Sequence, residues 1–232
     1  GDGTYTCKVS DNSEIKGYSA TTAPILMPVE TPGYASAKAL NDEILMTRQG
    51  MLEQLSYYTS QGFVFVLSGC RGTNEGAPTG VTDLKAAIRY IRYADDVIAG
   101  DAESIFVYGM SGGGAQAAIL GASGDSELYT PYLEAIGAVQ GVSDAVAGVM
   151  AWCPVTNLDT ANAEYEWMMG CTRPKRTDEL NAISDKLAHA YADYVNSAGF
   201  TDENGKPLTL TESKEGIFQA GSYYDHVKGV IE

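Results

Sequence analysis

Short unbroken apolar runs alternate along this chain with longer stretches in which apolar residues recur every three or four positions. The first run, Ala23-Pro24-Ile25-Leu26-Met27-Pro28, predicts a buried strand that stops abruptly at its proline. Residues 29–41 carry Pro32 and Gly33 and read as a loop. Asp42 is the expected cap of a helix to residue 58, with Ile44, Leu45, Met51, Leu52 and Leu55 on its apolar face and Gln61-Gly62 beyond its end. Phe63-Val64-Phe65-Val66-Leu67 is the strongest strand pattern, and Ser68-Gly69-Cys70-Arg71-Gly72 turns away from it. A helix is predicted over residues 83–99, with Leu84, Ala87, Ile88, Ile91 and Ile98 on one side. Ile105-Phe106-Val107-Tyr108 predicts a further strand, an Ala-rich helix follows, and residues 147–155, including Trp152 and Cys153, form another strand. Thr4-Tyr5-Thr6-Cys7-Lys8-Val9 alternates like a short strand.

Strands alternating with helices imply right-handed crossovers and a mostly parallel sheet flanked by helices. Beyond Asn157 the character changes. Residues 161–169 and 178–198 read as helices, residues 202–207 as a turn, and a third helix begins near Tyr223, with no further buried-strand pattern. The expected organisation is an α/β core over residues 1–156 and a helical insertion, sitting above the sheet, over residues 157–232.

Composition narrows the function classes. A chain of 232 residues with 44% hydrophobic content can bury one sizeable core. A net charge of −15 argues against nucleic acid and anionic membrane surfaces, both of which need clustered Lys and Arg. No apolar run approaches the roughly 18 residues of a membrane span. Gly1-Asp2-Gly3 does not resemble a natural start, so a removed leader, and with it a secreted or periplasmic location, stays open. Cys7, Cys70, Cys153 and Cys171 lack a Cys-x-x-Cys spacing, and Cys153 reads as a small core residue. Neither a metal nor another cofactor is expected, and no phosphate-binding Gly-x-x-x-x-Gly-Lys loop occurs.

The candidate chemistry lies at Gly109-Met110-Ser111-Gly112-Gly113, directly behind one predicted strand and ahead of a helix. Gly-x-Ser-x-Gly in that context is the nucleophile elbow of α/β-hydrolases, in which a strained serine is presented at the apex of a sharp turn. Ser111 is therefore the candidate nucleophile, and the N–H of Gly112 a candidate donor to the oxyanion formed on attack. The second donor is sought in the loop after the first strand, at the N–H of Gly33 or Tyr34. The base is less evident. Of two histidines, His189 lies inside a helical pattern, and His226 follows Tyr223-Tyr224-Asp225. His226 is the in-chain candidate for the base and Asp159 for the acid that orients it.

Several of these segments are similar to the bacterial tannases and the wider tannase and feruloyl esterase group of α/β-hydrolases. They include residues 22–28, 68–72, 83–90, the elbow, Leu120-Gly121-Ala122-Ser123-Gly124, Cys153-Pro154-Val155-Thr156-Asn157-Leu158-Asp159 and Tyr165-Glu166-Trp167, in the same order along the chain. The resemblance implies a serine esterase acting on esters of phenolic acids such as gallate. Ser111 would be its nucleophile, Gly33 and Gly112 would frame the oxyanion hole, and the helical insertion would form a lid. It also implies a catalytic Asp and His downstream of that lid, so a missing C-terminal segment or a second chain would complete the fold. A catalytically silent binding module and a serine peptidase of the same fold are the alternatives. Tyr165, Trp167, Tyr191, Tyr194, Tyr223 and Tyr224 suit a lid over a planar ring, although tyrosines at helical spacing more often serve packing.

Overall fold

The computed structural model describes residue 9 and residues 13–172, 177–214 and 217–232. The strand expected over residues 4–9 lies, apart from Val9, outside the described residues, as does Cys7. By its internal contacts the chain divides into two units, Gly1–Thr156 and Asn157–Glu232.

In the first unit, β1 (Glu14–Ile15) and β2 (Tyr18–Ser19) form a small antiparallel hairpin. Four strands make the main sheet: β3 (Pro24–Val29), β4 (Val64–Phe65), β5 (Asp101–Met110) and β6 (Gly148–Trp152). Their order is β4-β3-β5-β6 and every neighbouring pair is parallel. The connecting helices are α1 (Asp42–Thr47), α2 (Gln49–Ser60), α3 (Thr79–Tyr93), α4 (Gly112–Ala122) and α5 (Thr130–Ala135).

The continuous apolar character of β3 follows from burial on both faces. Its Ile25, Met27 and Val29 pack with Leu84, Ile88 and Ile91 of α3 and with Ala117 and Leu120 of α4. Leu26, one step out of phase, packs on the other face with Phe65, Tyr108, Ile44 of α1 and Met51 of α2. The result is the mostly parallel, helix-flanked sheet expected from the alternation of elements. That second face is covered unevenly. Phe106 and Met110 of β5 and Met150 and Trp152 of β6, on the same face of the sheet, are 39%, 67%, 52% and 50% exposed, and β6 is an edge strand among the described residues.

Lys85 of α3 is fully buried, which requires partners. Its Nζ donates to Asp144 Oδ1 (2.7 Å) and to the Ser123 carbonyl, while Arg89 Nε donates to Asp144 Oδ2 (2.8 Å). Asp144 also accepts the Asp125 amide, and Asp125 accepts the Asp144 amide, each at 2.9 Å. This cluster fastens α3 to the end of α4 and to the loop entering β6.

Several boundaries differ from expectation for local reasons. The helix predicted over residues 42–58 breaks at Arg48 (φ −114°, ψ 84°). Its cap is Asn41, whose side chain accepts the Ile44 amide; Asp42 already sits in the first turn. α3 starts at Thr79 because Pro78 is tolerated at a helix start, and it ends before Ala94. The run from Phe63 pairs as a strand only at Val64 and Phe65. β6 stops at Trp152, so Cys153 is not a core residue: it is exposed, with φ 41°.

The second unit contains α6 (Ala161–Met169), α7 (Asp178–Ala198) and α8 (Ser222–Ile231). Trp167, Tyr191, Ala192, Val195 and Leu210 form its buried centre. Trp167 Nε1 donates to the Phe218 carbonyl (2.6 Å), and the Tyr191 and Tyr223 hydroxyls lie 3.1 Å apart. Trp167 and Tyr191 are thus packing residues of this unit. α7 is capped by the Thr177 side chain and closed by Gly199 in the left-handed region. Among the described residues, no helix is long and apolar enough to cross a membrane.

Candidate active site

The bend between β5 and α4 is built from close backbone approaches. A Cβ at Gly109 would lie 2.5 Å from the Gly113 backbone, and one at Gly113 would lie 2.0 Å from the Val29 carbonyl. Both glycines of the Gly-x-Ser-x-Gly pattern are therefore required by contact rather than by flexibility. Between them Ser111 holds φ 56° and ψ −122°, a conformation that costs a non-glycine residue about 1–3 kcal/mol. Its amide donates to the Trp152 carbonyl (3.0 Å), its carbonyl accepts from Ala115 (2.9 Å), and the residue is exposed.

The loop after β3 closes against this bend. A Cβ at Gly112 would stand 2.5 Å from both the Thr31 carbonyl oxygen and the Tyr34 nitrogen, and 3.1 Å from the Gly33 nitrogen. Gly33 (φ 59°) and Tyr34 (φ 60°) are both left-handed, turning the loop back on itself. The Tyr34 amide is committed to the Thr31 carbonyl at 2.9 Å, which leaves the Gly33 amide as the available donor on this turn. Gly112 is the first residue of α4, where an amide has no intrahelical acceptor. The Gly33 amide nitrogen thus lies close to Gly112, the residue that follows the serine.

Three ties hold that loop in place. Buried Thr31 donates its hydroxyl to Gln116 Oε1 of α4 (3.2 Å). The Tyr34 hydroxyl donates to the Val155 carbonyl (2.6 Å). Residues 68–72 support the loop from behind, through reciprocal Ala37 and Cys70 backbone hydrogen bonds of 2.9 Å. That turn is itself locked to α3: Asp83 accepts the Arg71 amide (2.8 Å) and both Arg71 Nε (3.0 Å) and Nη2 (2.8 Å). The hydrogen bond to Asp83, and then its charge, hold the Arg71 guanidinium even more firmly protonated. Burial pushes the Cys70 thiol up, so it stays a neutral packing group.

The remaining candidates lie in the second unit. His226 is exposed on α8, and Asp159 is exposed in the turn ahead of α6. His189 is exposed on α7 with its ring edge-on to Phe218, centroids 4.7 Å apart. Among the described residues, no group of three or more His, Cys, Asp or Glu could hold a metal ion.

Comparison with known proteins places this arrangement in context. The family model described as BD-FAE matches residues 20–215. Among solved structures, the tannase of Fusobacterium nucleatum is 34% identical with a TM-score of 0.65, and the match covers 95% of this chain and 52% of that one. The tannin acyl hydrolase of Lactobacillus plantarum in its native form is 34% identical (TM-score 0.67), covering 93% and 50% of the two chains. A tannin acyl hydrolase in complex with 3,4-dihydroxybenzoate is 35% identical (TM-score 0.66), covering 93% and 49%. The chain spans about half the length of these solved tannases. No curated protein matches it.

Proposed function

The chain belongs to the BD-FAE family of tannase- and feruloyl-esterase-like α/β-hydrolases, and on that footing we propose that it carries the nucleophile of a serine esterase for phenolic-acid esters. The observation that carries this reading is an exposed Ser111 held at φ 56°, beside the amides of Gly33 and Gly112, neither of which donates to another group among the described residues. Ser111 Oγ attacks the ester carbonyl carbon and gives its proton to a base. The carbonyl oxygen becomes an oxyanion that accepts hydrogen bonds from the two amides. Collapse breaks the bond to the alcohol, which leaves with the proton from the base. Water then repeats the sequence on the acyl-serine and releases the phenolic acid.

The base is an imidazole oriented by a carboxylate, both from polypeptide that completes the sheet beyond β6. The open β6 edge and the apolar patch of Phe106, Met110, Met150 and Trp152 support this, since a further strand and helix would cover them. That polypeptide is a following segment or a second chain. The alternative, in which the chain supplies both roles itself, falls to His226 and Asp159. Residues 157–232 act as the lid over the ester, as the tannase resemblance implies.

The test compares the intact protein with Ser111→Ala on aryl esters, phenolic-acid esters and peptide amides. Ester hydrolysis that disappears with Ser111→Ala is expected. Hydrolysis that survives the substitution sinks the mechanism, and turnover of amides alone would make the protein a peptidase.

A further inference from the structure

Tyr34 holds a left-handed conformation (φ 60°) directly after Gly33 (φ 59°). Glycine occupies that region freely, whereas a bulky side chain there is strained and persists only where its surroundings hold it. What tyrosine supplies at this position and glycine cannot is a hydroxyl on a long, stiff arm. That hydroxyl donates to the Val155 carbonyl at 2.6 Å.

The hydrogen bond reaches across the sheet. Val155 lies three residues beyond the end of β6, and β5 stands between β3 and β6. Two strand spacings, roughly 10 Å, separate the strands whose exits the tyrosine joins. The bond therefore bridges the carboxyl end of β5, the strand that leads into Ser111. The β6 exit grips the serine as well. The Trp152 carbonyl accepts the Ser111 amide (3.0 Å) and lies so close to Gly114 that a side chain would not fit there. Cys153, also left-handed at φ 41°, then turns the chain out of the sheet ahead of Val155. One short segment, residues 152–155, thus holds the backbone of the serine at one end and the Gly33 turn at the other.

We propose that Tyr34 is a positioning residue of the reaction: through the β6 exit, its hydroxyl fixes the Gly33 amide relative to Ser111. The inference rests on the serine esterase reading above. Gly33 and Tyr34 are adjacent, so any drift of the tyrosine moves the amide directly. Thr31 pins the other end of the turn through Gln116, so losing the Val155 bond frees one end only. A 1 Å misplacement typically costs about a hundredfold in rate, and a retreat of about half that distance about tenfold. The oxyanion forms only on attack, so the loss falls in kcat and spares KM.

Tyr34→Phe keeps the ring and removes the hydrogen bond. Tyr108→Phe is the matched control, because the Tyr108 hydroxyl donates to Gln54 Oε1 (3.0 Å) on the sheet face covered by α1 and α2. Both variants of the intact protein are assayed on p-nitrophenyl benzoate and inhibited with phenylboronic acid. The boronate forms a tetrahedral adduct on a serine and sets an oxygen where the oxyanion would lie. Tyr34→Phe should lower kcat about tenfold with KM changed less than about twofold, and should raise the boronate Ki by a similar factor. Tyr108→Phe should match the wild type in all three. Wild-type kcat in Tyr34→Phe, a loss carried by KM, a kcat loss with the boronate Ki unchanged, or the same loss in Tyr108→Phe overturns the positioning role while the esterase reading stands. A wild-type protein that neither hydrolyses the ester nor binds the boronate refutes the esterase reading and the positioning role with it.

Discussion

Gly112→Ala probes the contact on which the proposed chemistry depends. The added methyl would stand 2.5 Å from the Thr31 carbonyl oxygen and from the Tyr34 nitrogen, where ordinary contact begins near 3.4 Å. Both partners are backbone atoms, so no side chain can swing aside. Thr31 is anchored through Gln116, and Tyr34 through Val155. The turn must therefore retreat by roughly 1 Å, a misplacement that typically costs about a hundredfold in rate. Loss of one oxyanion donor costs about 3 kcal/mol of transition-state stabilisation, which agrees with that figure. Overpacking adds about 1–3 kcal/mol of destabilisation, so the protein should remain folded at assay temperature. The oxyanion exists only in the transition state, so kcat should fall while KM changes little. Gly50→Ala is the control: nothing lies within 4 Å of its new methyl, in α2, so activity should hold and stability rise by about 0.5–1 kcal/mol. Steady-state kinetics on an aryl ester, paired with urea unfolding of each variant, reads both quantities. A folded Gly112→Ala protein with wild-type kcat, or with its loss entirely in KM, would refute the assignment of this turn.

Ser111→Gly should remove strain and raise stability by about 1 kcal/mol while abolishing activity; urea unfolding that shows no gain would mean the bend suits serine. Asp144→Ala leaves buried Lys85 without a countercharge and should cost on the order of 3–5 kcal/mol; a loss under about 1 kcal/mol would show the ion cluster to be replaceable by solvent. The Asp125 carboxyl is held below the ordinary carboxylate value by the Asp144 amide and then by the Ser143 hydroxyl. Its contribution to stability is thus present above the unfolded value near 3.9 and is lost as pH falls through the lower folded value. Asp125→Asn should flatten the acid limb of stability below about pH 4, and an unchanged limb would contradict this.

What the sequence revealed depended on how local each cause was. The bounds of α7 were legible because their causes are local: Thr177 caps its start and Gly199 ends it. β3 was legible because burial on both faces leaves a continuous apolar run. The break at Arg48 was not, since the apolar face continues through it and only backbone angles interrupt it. α5 has six residues, too few to show a period. Cys153 looked internal because it continues the run of β6, yet the chain turns out of the sheet one residue earlier. At the site, the bend at Ser111 was readable from the Gly-x-Ser-x-Gly spacing together with the apolar run before it and the Ala-rich stretch after it. The choice between the Gly33 and Tyr34 amides was not, because it turns on the Tyr34 hydrogen bond to Thr31.

The most direct measurement is peptide mapping of the intact protein after treatment with a fluorophosphonate. The account predicts a single phosphonyl adduct, on Ser111, that forms in step with loss of esterase activity. An adduct on another residue, or full inhibition with Ser111 unmodified, would contradict it.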